Sequence, residues 1–101
     1  MPLLIMSMNW TEKGIKSIRE WPKRLKAARD YAKTCGVTIK ATYLTTGDYD
    51  LMTILEAKDG GDVAKFALGV GEYGNVRTKT ARAWTEAELA KFISELPPLP
   101  K

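Results

Sequence analysis

The chain has 101 residues, of which 45% are apolar and 28% charged, and its formal net charge is +4. This length suits one domain with a thin core, and no window reaches the roughly 18–20 apolar residues that a membrane span needs. Histidine is absent and Cys35 is the single cysteine, which excludes an internal disulfide and the usual zinc, copper and haem sites. No cofactor is therefore expected. The lone cysteine and the lack of a signal-peptide pattern predict a cytoplasmic protein.

The first third of the chain predicts a strand followed by a long helical stretch. The strand covers Leu3 to Asn9. From Glu12 to about Thr34, apolar residues recur every three or four positions, which is the spacing of an amphipathic helix. Pro22 falls within this stretch and predicts a kink, or two short helices that meet near Trp21. Gly36 is expected to end the helix in the left-handed conformation.

The remainder predicts three more strands and two more helices. Alternating, β-branched residues indicate a strand from Val37 to Thr45 and another from Tyr49 to Ala57, joined as a hairpin by a turn at 46–48. A second helix follows, and a fourth strand covers Asn75 to Trp84. A capping box that begins at Thr85 then opens a last helix.

This order of elements, βαββαβ plus a terminal helix, is that of a ferredoxin-like sandwich. We therefore predict an α+β fold with a four-stranded antiparallel sheet and helices on one face. Residues 1–96 form this single domain, and residues 97–101 form a Pro-rich tail.

Several predicted strands are apolar on both sides, as in the first strand, where Leu3 and Ile5 alternate with Leu4 and Met6. Strands of this kind are usually buried on both faces, so a second sheet is expected to cover the open face. The simplest partner is a second copy related by a two-fold axis, which gives a homodimer, or a higher oligomer, with a dimeric α/β barrel. The alternative is a monomer with a modest apolar patch.

The segment TTGDYD, residues 45–50, places two carboxylates and a phenol beside a predicted strand. Gly47 can adopt the positive φ that the turn needs. Asp50 is unusual in a strand, and two roles stay open: a bond to backbone amides of a neighbouring loop, or a carboxylate that accepts a proton or anchors an ammonium group. Alternation places Tyr49 on the opposite face, where it is expected to be a core or interface aromatic.

Two other segments carry candidate ligand contacts. Trp21 and Arg24 join an aromatic ring to a basic cluster near the helix break, and either line the mouth of a pocket or form a packed tryptophan beside surface cations. Arg77 and Lys79 share one face of the fourth strand. Arg77 is either an anchor for a ligand carboxylate or part of a solvated, ion-paired face.

Residues 11–36 are strongly basic, with eight Lys and Arg against three acidic residues. The pattern is typical of a solvated helix face. Nucleic-acid binding through this face is a weaker alternative, and neither a nucleic-acid nor a membrane partner is expected.

Residues 3–96 resemble the GYD domain family, whose Gly…Tyr-Asp signature falls here at Gly47, Tyr49 and Asp50. Two segments carry the resemblance, NWTEKGIKSIREWPKRLKAARDYAKTCGVTIKATYLTTGDYDLMTILEA and NVRTKTARAW. It implies a ferredoxin-like fold in the dimeric α/β-barrel superfamily. The second half is also similar to the ligand-binding domain of leucine-responsive regulators, which bind amino acids between subunits, but it lacks their helix-turn-helix. The superfamily includes small monooxygenases and isomerases, whose catalytic histidines have no counterpart here.

Two functions are compatible with these features. The first, which we favour, is a homo-oligomeric small-molecule-binding or regulatory module. The second is a cofactor-free enzyme of the monooxygenase or isomerase type that acts in a pocket between sheet and helices. No catalytic motif decides between them. The candidate ligand contacts are Trp21, Arg24, Tyr43, Gly47, Tyr49, Asp50 and Arg77.

Overall fold

The computed structural model describes residues 1–100 and has the predicted α+β ferredoxin-like architecture, a four-stranded antiparallel sheet with helices on one face. The strands are β1 (Leu3–Trp10), β2 (Val37–Leu44), β3 (Leu51–Ala57) and β4 (Val76–Ala83). The helices are α1 (Glu12–Lys16), α2 (Trp21–Thr34), α3 (Gly60–Tyr73) and α4 (Glu86–Ser94). The sheet order is β2-β3-β1-β4, so β1 lies inside the sheet between β3 and β4.

The long helical stretch is broken, as Pro22 predicted. A single 3-10 turn, Ile18–Glu20, separates α1 from α2. Pro22 lies in the first turn of α2, where its missing N–H leaves no helical hydrogen bond unmade. The outcome is two helices that meet near Trp21, not one kinked helix. At the other end of α2, Gly36 has a φ of 83°, the left-handed conformation expected of it.

The core lies between the sheet and helices α2 and α3. Every second residue of β3 is buried, beginning at Leu51, and these side chains face the helices. Phe66 of α3 and Met6 of β1 are fully buried against them. Helix α2 packs mainly on β2, and α3 packs mainly on β4. The two helices therefore leave a gap above the middle of the sheet.

A β-bulge in β2 determines which of its side chains face the helices. The pairing with β3 shifts between Ile39 and Ala41, so that Thr42 lies opposite Thr53. Without the shift, alternation from Ile39 would carry Tyr43 to the helix side. With it, Thr42 faces the helices, and Tyr43 faces the open side of the sheet.

The hairpin loop is longer than the sequence predicted. β2 ends at Leu44 and β3 begins at Leu51, so Tyr49 and Asp50 precede the strand in which they were placed. The reason is that the Asp50 backbone N–H donates to the Met8 carbonyl and to Asn9 Oδ1, both at 3.0 Å. These contacts tie Asp50 to the end of β1. Among residues 1–100, no helix is long and apolar enough to cross a membrane.

Candidate functional site

A cavity of about 140 Å³ occupies the gap between the sheet and helices α2 and α3. Its floor includes Thr53 and Phe66, which are 1% and 0% exposed. Tyr31 and Tyr73 also line it and are partly exposed, which places its mouth beside these two rings. Most of the wall is apolar, with Trp21, Leu25, Ala28, Ile39 and Val70 among the lining residues.

Four lining side chains carry a buried polar atom that has no hydrogen-bond partner among residues 1–100. These atoms are Arg24 Nη1, Thr42 Oγ1, Thr53 Oγ1 and Asn75 Oδ1. Buried polar groups are nearly always paired in native proteins, because an unpaired one costs about 1–3 kcal/mol. Four such atoms on residues that line one cavity therefore distinguish this region from an ordinary core.

Arg24 contributes the one charged side chain among the described residues that line the cavity. Its Nη2 donates to Ser17 Oγ at 2.6 Å and to Glu20 Oε2 at 3.2 Å. The Arg24 side chain is 24% exposed, whereas that of Glu20 is 65% exposed. Both of these bonds use Nη2, and Nη1 is buried without a partner among residues 1–100.

The two threonines lie side by side on neighbouring strands. Thr42 and Thr53 are directly paired across β2 and β3, and the bulge in β2 produces this pairing. Met6 of β1 pairs with Thr53 on its other side, so Thr53 lies over the middle of the sheet and Thr42 lies over the edge strand β2. A hydroxyl can donate or accept a hydrogen bond, so this pair can bond to a ligand group that is either an acceptor or a donor.

Asn75 is held in place by the start of α1. Thr11 donates its backbone N–H to the Asn75 carbonyl at 3.0 Å and its hydroxyl to the Gly74 carbonyl at 2.5 Å. The same hydroxyl caps α1 by accepting from the Gly14 N–H at 3.1 Å. Two hydrogen bonds from Thr11 therefore hold the backbone at Gly74 and Asn75, and the third ties Thr11 to α1.

Tyr31 borders the mouth of the cavity as a neutral phenol. A hydrogen bond with the Cys35 thiol, together with desolvation and the negative charge of Glu72, raises the pKa of Tyr31 above its ordinary value. The phenol therefore keeps its proton throughout the neutral range. A Cβ at Gly69 would overlap the Tyr31 hydroxyl, so the bare glycine on α3 makes room for this ring.

The sheet separates the residues that the sequence proposed as ligand contacts. Trp21 and Arg24 line the cavity. Tyr43 and Arg77 face the other side, where Tyr43 pairs with Met52 and Arg77 pairs with Asn9. Tyr49 lines a shallow hollow on that open side with Ile5, Ser7, Met52 and Lys79.

The remaining two candidates lie in the hairpin loop. Gly47 has a φ of 104° in the turn, which requires a glycine, and a Cβ there would meet open space. Asp50 Oδ2 accepts from the Trp10 backbone N–H at 2.9 Å. This is the bond to a neighbouring backbone amide that formed one of its two predicted roles.

Sequence reasoning did not propose Thr42, Thr53 or Asn75 for the site. Threonine is an ordinary strand residue, so nothing in the pattern separates a threonine over a cavity from one facing water. The bulge at Lys40 also has no signal in the sequence. Trp21 and Arg24 were proposed because an aromatic and a cation adjoin a helix break. Both residues line the cavity.

The fold and the cavity together define the class: a small ferredoxin-like α+β domain with an internal cavity under two helices. Within that class, the chain belongs to the GYD domain family, whose model matches residues 4–93.

A relative from Thermus thermophilus is 31% identical over 90 residues, which are 88% of this chain and 95% of the relative. That protein is named glutamine synthetase and cystathionine beta-lyase binding protein.

Solved structures share the fold at low identity. MtbAldR matches 84% of this chain with a TM-score of 0.65 and 16% identity, and the chain spans 52% of MtbAldR. PHS023 from Pyrococcus horikoshii matches 85% of this chain and 93% of its own, with a TM-score of 0.58 and 22% identity.

Proposed function

We propose that this protein is a homo-oligomeric regulatory module that binds a small molecule in the cavity between its sheet and helices. The observation that carries the proposal is the set of four buried, unpartnered polar atoms on residues that line one apolar cavity. Ligand pockets commonly combine apolar walls with a few converging polar groups, which fix the orientation of the ligand. A ligand that supplies partners for these atoms offsets the cost of burying them.

The regulatory part of the proposal is supported by the relative from Thermus thermophilus. Its name describes a protein that binds two enzymes, and this chain covers 95% of it. A domain of this size has room for one small ligand and for a surface that contacts a larger protein. We therefore propose that the domain acts by binding, with the ligand in the cavity as the signal.

The homo-oligomeric part is supported by two apolar surfaces that the single chain leaves uncovered. On the open face of the sheet, Tyr43 and Tyr49 are exposed, and Ile5, Met52 and Ile54 are only partly buried. No residue of α4 is buried. Apolar surface of this extent is typical of interfaces between copies.

Native mass spectrometry of the purified protein tests ligand binding and subunit number together. We expect a mass above that of the bare chain, or a thermal shift with a panel of small metabolites. Ala28 lines the cavity, so Ala28→Phe should fill it and abolish both signals. Ala64 lies exposed on α3 outside the lining, so Ala64→Phe is the matched control and should retain them. Ligand binding that survives Ala28→Phe, or a wild-type protein that binds nothing, contradicts the proposal.

A further inference from the structure

We infer that the ligand of the cavity is a small monocarboxylic acid with an apolar body about the size of a benzene ring, and that its carboxylate binds Arg24. The inference rests on the proposed function, because it names the chemical class that the same cavity would take. Three observations support it: the volume of the cavity, the charge of its lining residues, and the kinds of unpartnered polar atom that those residues carry.

The volume sets the size of the apolar body. A dry cavity of about 150 Å³ lined by Leu, Ile and Phe binds benzene. The cavity here holds about 140 Å³ and is lined by Phe66, Ile39, Leu25 and similar side chains. A phenyl ring or a branched chain of similar size fits, whereas a nucleotide, a sugar phosphate or a folded peptide does not.

The charge sets the polar end of the ligand. Arg24 is the one charged residue among the described lining residues, and a guanidinium can only donate hydrogen bonds. Its free Nη1 therefore needs an acceptor, and a carboxylate is the acceptor that forms the strongest bond with it. The Glu20 carboxylate does not meet this need, because it bonds to Nη2 on the exposed side.

The charges of the lining residues also argue against an amino acid as the ligand. No carboxylate lies among the described lining residues, so a ligand ammonium would be buried without a counter-ion. The Thr42 and Thr53 hydroxyls are neutral and can donate to a carboxylate oxygen or bond to a ligand hydroxyl, whereas Asn75 Oδ1 only accepts and so suits a ligand hydroxyl. The site thus fits an acid that has no amino group, with or without a hydroxyl substituent.

Isothermal titration with three matched compounds tests the class. Phenylacetate carries the proposed features, phenylglycine adds an ammonium group, and 2-phenylethanol replaces the carboxylate with a neutral alcohol. We expect saturable binding of phenylacetate and at least about tenfold weaker binding of the other two, as expected for loss of a charge-assisted bond or burial of an unpaired charge.

Substitutions of Arg24 test whether the preference for phenylacetate depends on this residue. Arg24→Met retains the apolar stem and should remove the preference for phenylacetate over 2-phenylethanol. Arg24→Lys retains the charge and should keep part of the preference, and it serves as the second variant if the methionine form does not fold. Lys26→Met removes the same charge from an exposed position on α2, so it should bind like the wild type.

The outcomes separate the ligand class from the proposed function. If 2-phenylethanol or phenylglycine binds as tightly as phenylacetate, the acid class is wrong, while the binding function stands. If none of the three binds but native mass spectrometry retains a different small molecule that Ala28→Phe removes, the class is again wrong. If the cavity binds nothing in either experiment, the proposed function fails with it.

Discussion

Asp50 connects the hairpin loop to the end of β1 through both its backbone and its side chain. Its N–H donates to the Met8 carbonyl and its Oδ2 accepts from the Trp10 N–H at 2.9 Å. On the loop side, the Asp50 carbonyl accepts from the Thr45 N–H at 2.8 Å. One residue thus closes the loop and holds it against the neighbouring strand, which explains why an acid stands at the start of an apolar strand.

This arrangement predicts different effects for two substitutions of Asp50. Asp50→Ala leaves the Trp10 amide without its acceptor, so the free energy of unfolding should fall by about 1–3 kcal/mol. Asp50→Asn retains an acceptor oxygen and should lose less. Urea denaturation measures both, with Asp48→Ala in the exposed part of the loop as the control. Equal loss for alanine and asparagine would indicate that the charge, and not the acceptor, is what matters.

Gly14 is required by close packing and not by an unusual φ. A Cβ at this position would overlap the backbone carbonyl of Asn75, which the bond from Thr11 holds in place. Gly71 on α3 has open space around its Cβ position. The two glycines therefore form a matched pair for mutation.

We expect opposite effects from adding the same methyl group at these two positions. Gly14→Ala should lower the melting temperature, because the clash is with backbone and must shift α1 or the Asn75 loop. Gly71→Ala should raise the free energy of unfolding by up to about 1 kcal/mol, since alanine is the better helix former. Differential scanning calorimetry compares the two. A Gly14→Ala protein as stable as the wild type would show that α1 is free to move.

At the scale of the elements, local sequence chemistry predicted the helix ends well. Pro22 correctly marked the start of α2, and the capping box at Thr85 correctly marked the start of α4. These signals join residues three or four positions apart, so both partners can be read from one short segment of the sequence. The contact between Asp50 and Trp10 joins residues 40 positions apart, and no local pattern identifies such a partner.

The strands show a second limit of local patterns. Alternation identified all four strands and the shared face of Arg77 and Lys79, which the register confirms. It fails across the bulge of β2, where one extra residue exchanges the faces of Thr42 and Tyr43. The place of Thr42 in the cavity lining therefore depends on an irregularity that only the structure reveals.

The first turn of α4 should depend on pH through Glu88. The Thr85 backbone N–H donates to Glu88 Oε1 at 2.9 Å, and this bond lowers the pKa of Glu88 below its ordinary value of 4.5. Because the folded pKa is the lower one, the stabilisation is complete above 4.5 and disappears as the pH falls through the lowered pKa.

NMR secondary shifts of α4 recorded from pH 7 to pH 2 test this dependence. We expect the first turn to lose helical character at the acid end in the wild type. Glu88→Gln retains an oxygen that can accept the same bond but cannot titrate, so its first turn should change far less. A glutamine variant that frays over the same pH range would assign the effect to another group.

For the whole molecule, the main division is between the two faces of the sheet. The helix side contains the cavity with Trp21 and Arg24, and the open side carries Tyr43, Tyr49 and Arg77. The sequence could list these residues as candidates, because aromatic and basic side chains beside strands and helix breaks are recognisable. It could not assign them to separate surfaces, because the assignment depends on strand register and on the bulge.

The open face leads to a prediction about assembly. Ile54 lies on that face directly opposite Ile5, in the two central strands of the sheet. If a second copy covers this face, Ile54→Glu buries a charge without a partner in the interface and should dissociate the oligomer. Light scattering after gel filtration should then give a multiple of 11.3 kDa for the wild type and a single 11.3 kDa chain for the variant.

A control on a different apolar surface makes this test specific. Leu68 of α3 is 75% exposed and lies on the helix side of the molecule. Leu68→Glu adds the same charge but should leave the oligomer intact, because it does not touch the open face. A reversal, in which Leu68→Glu dissociates the oligomer and Ile54→Glu does not, would assign the interface to the helices. The mouth of the cavity between α2 and α3 would then lie beside a subunit contact.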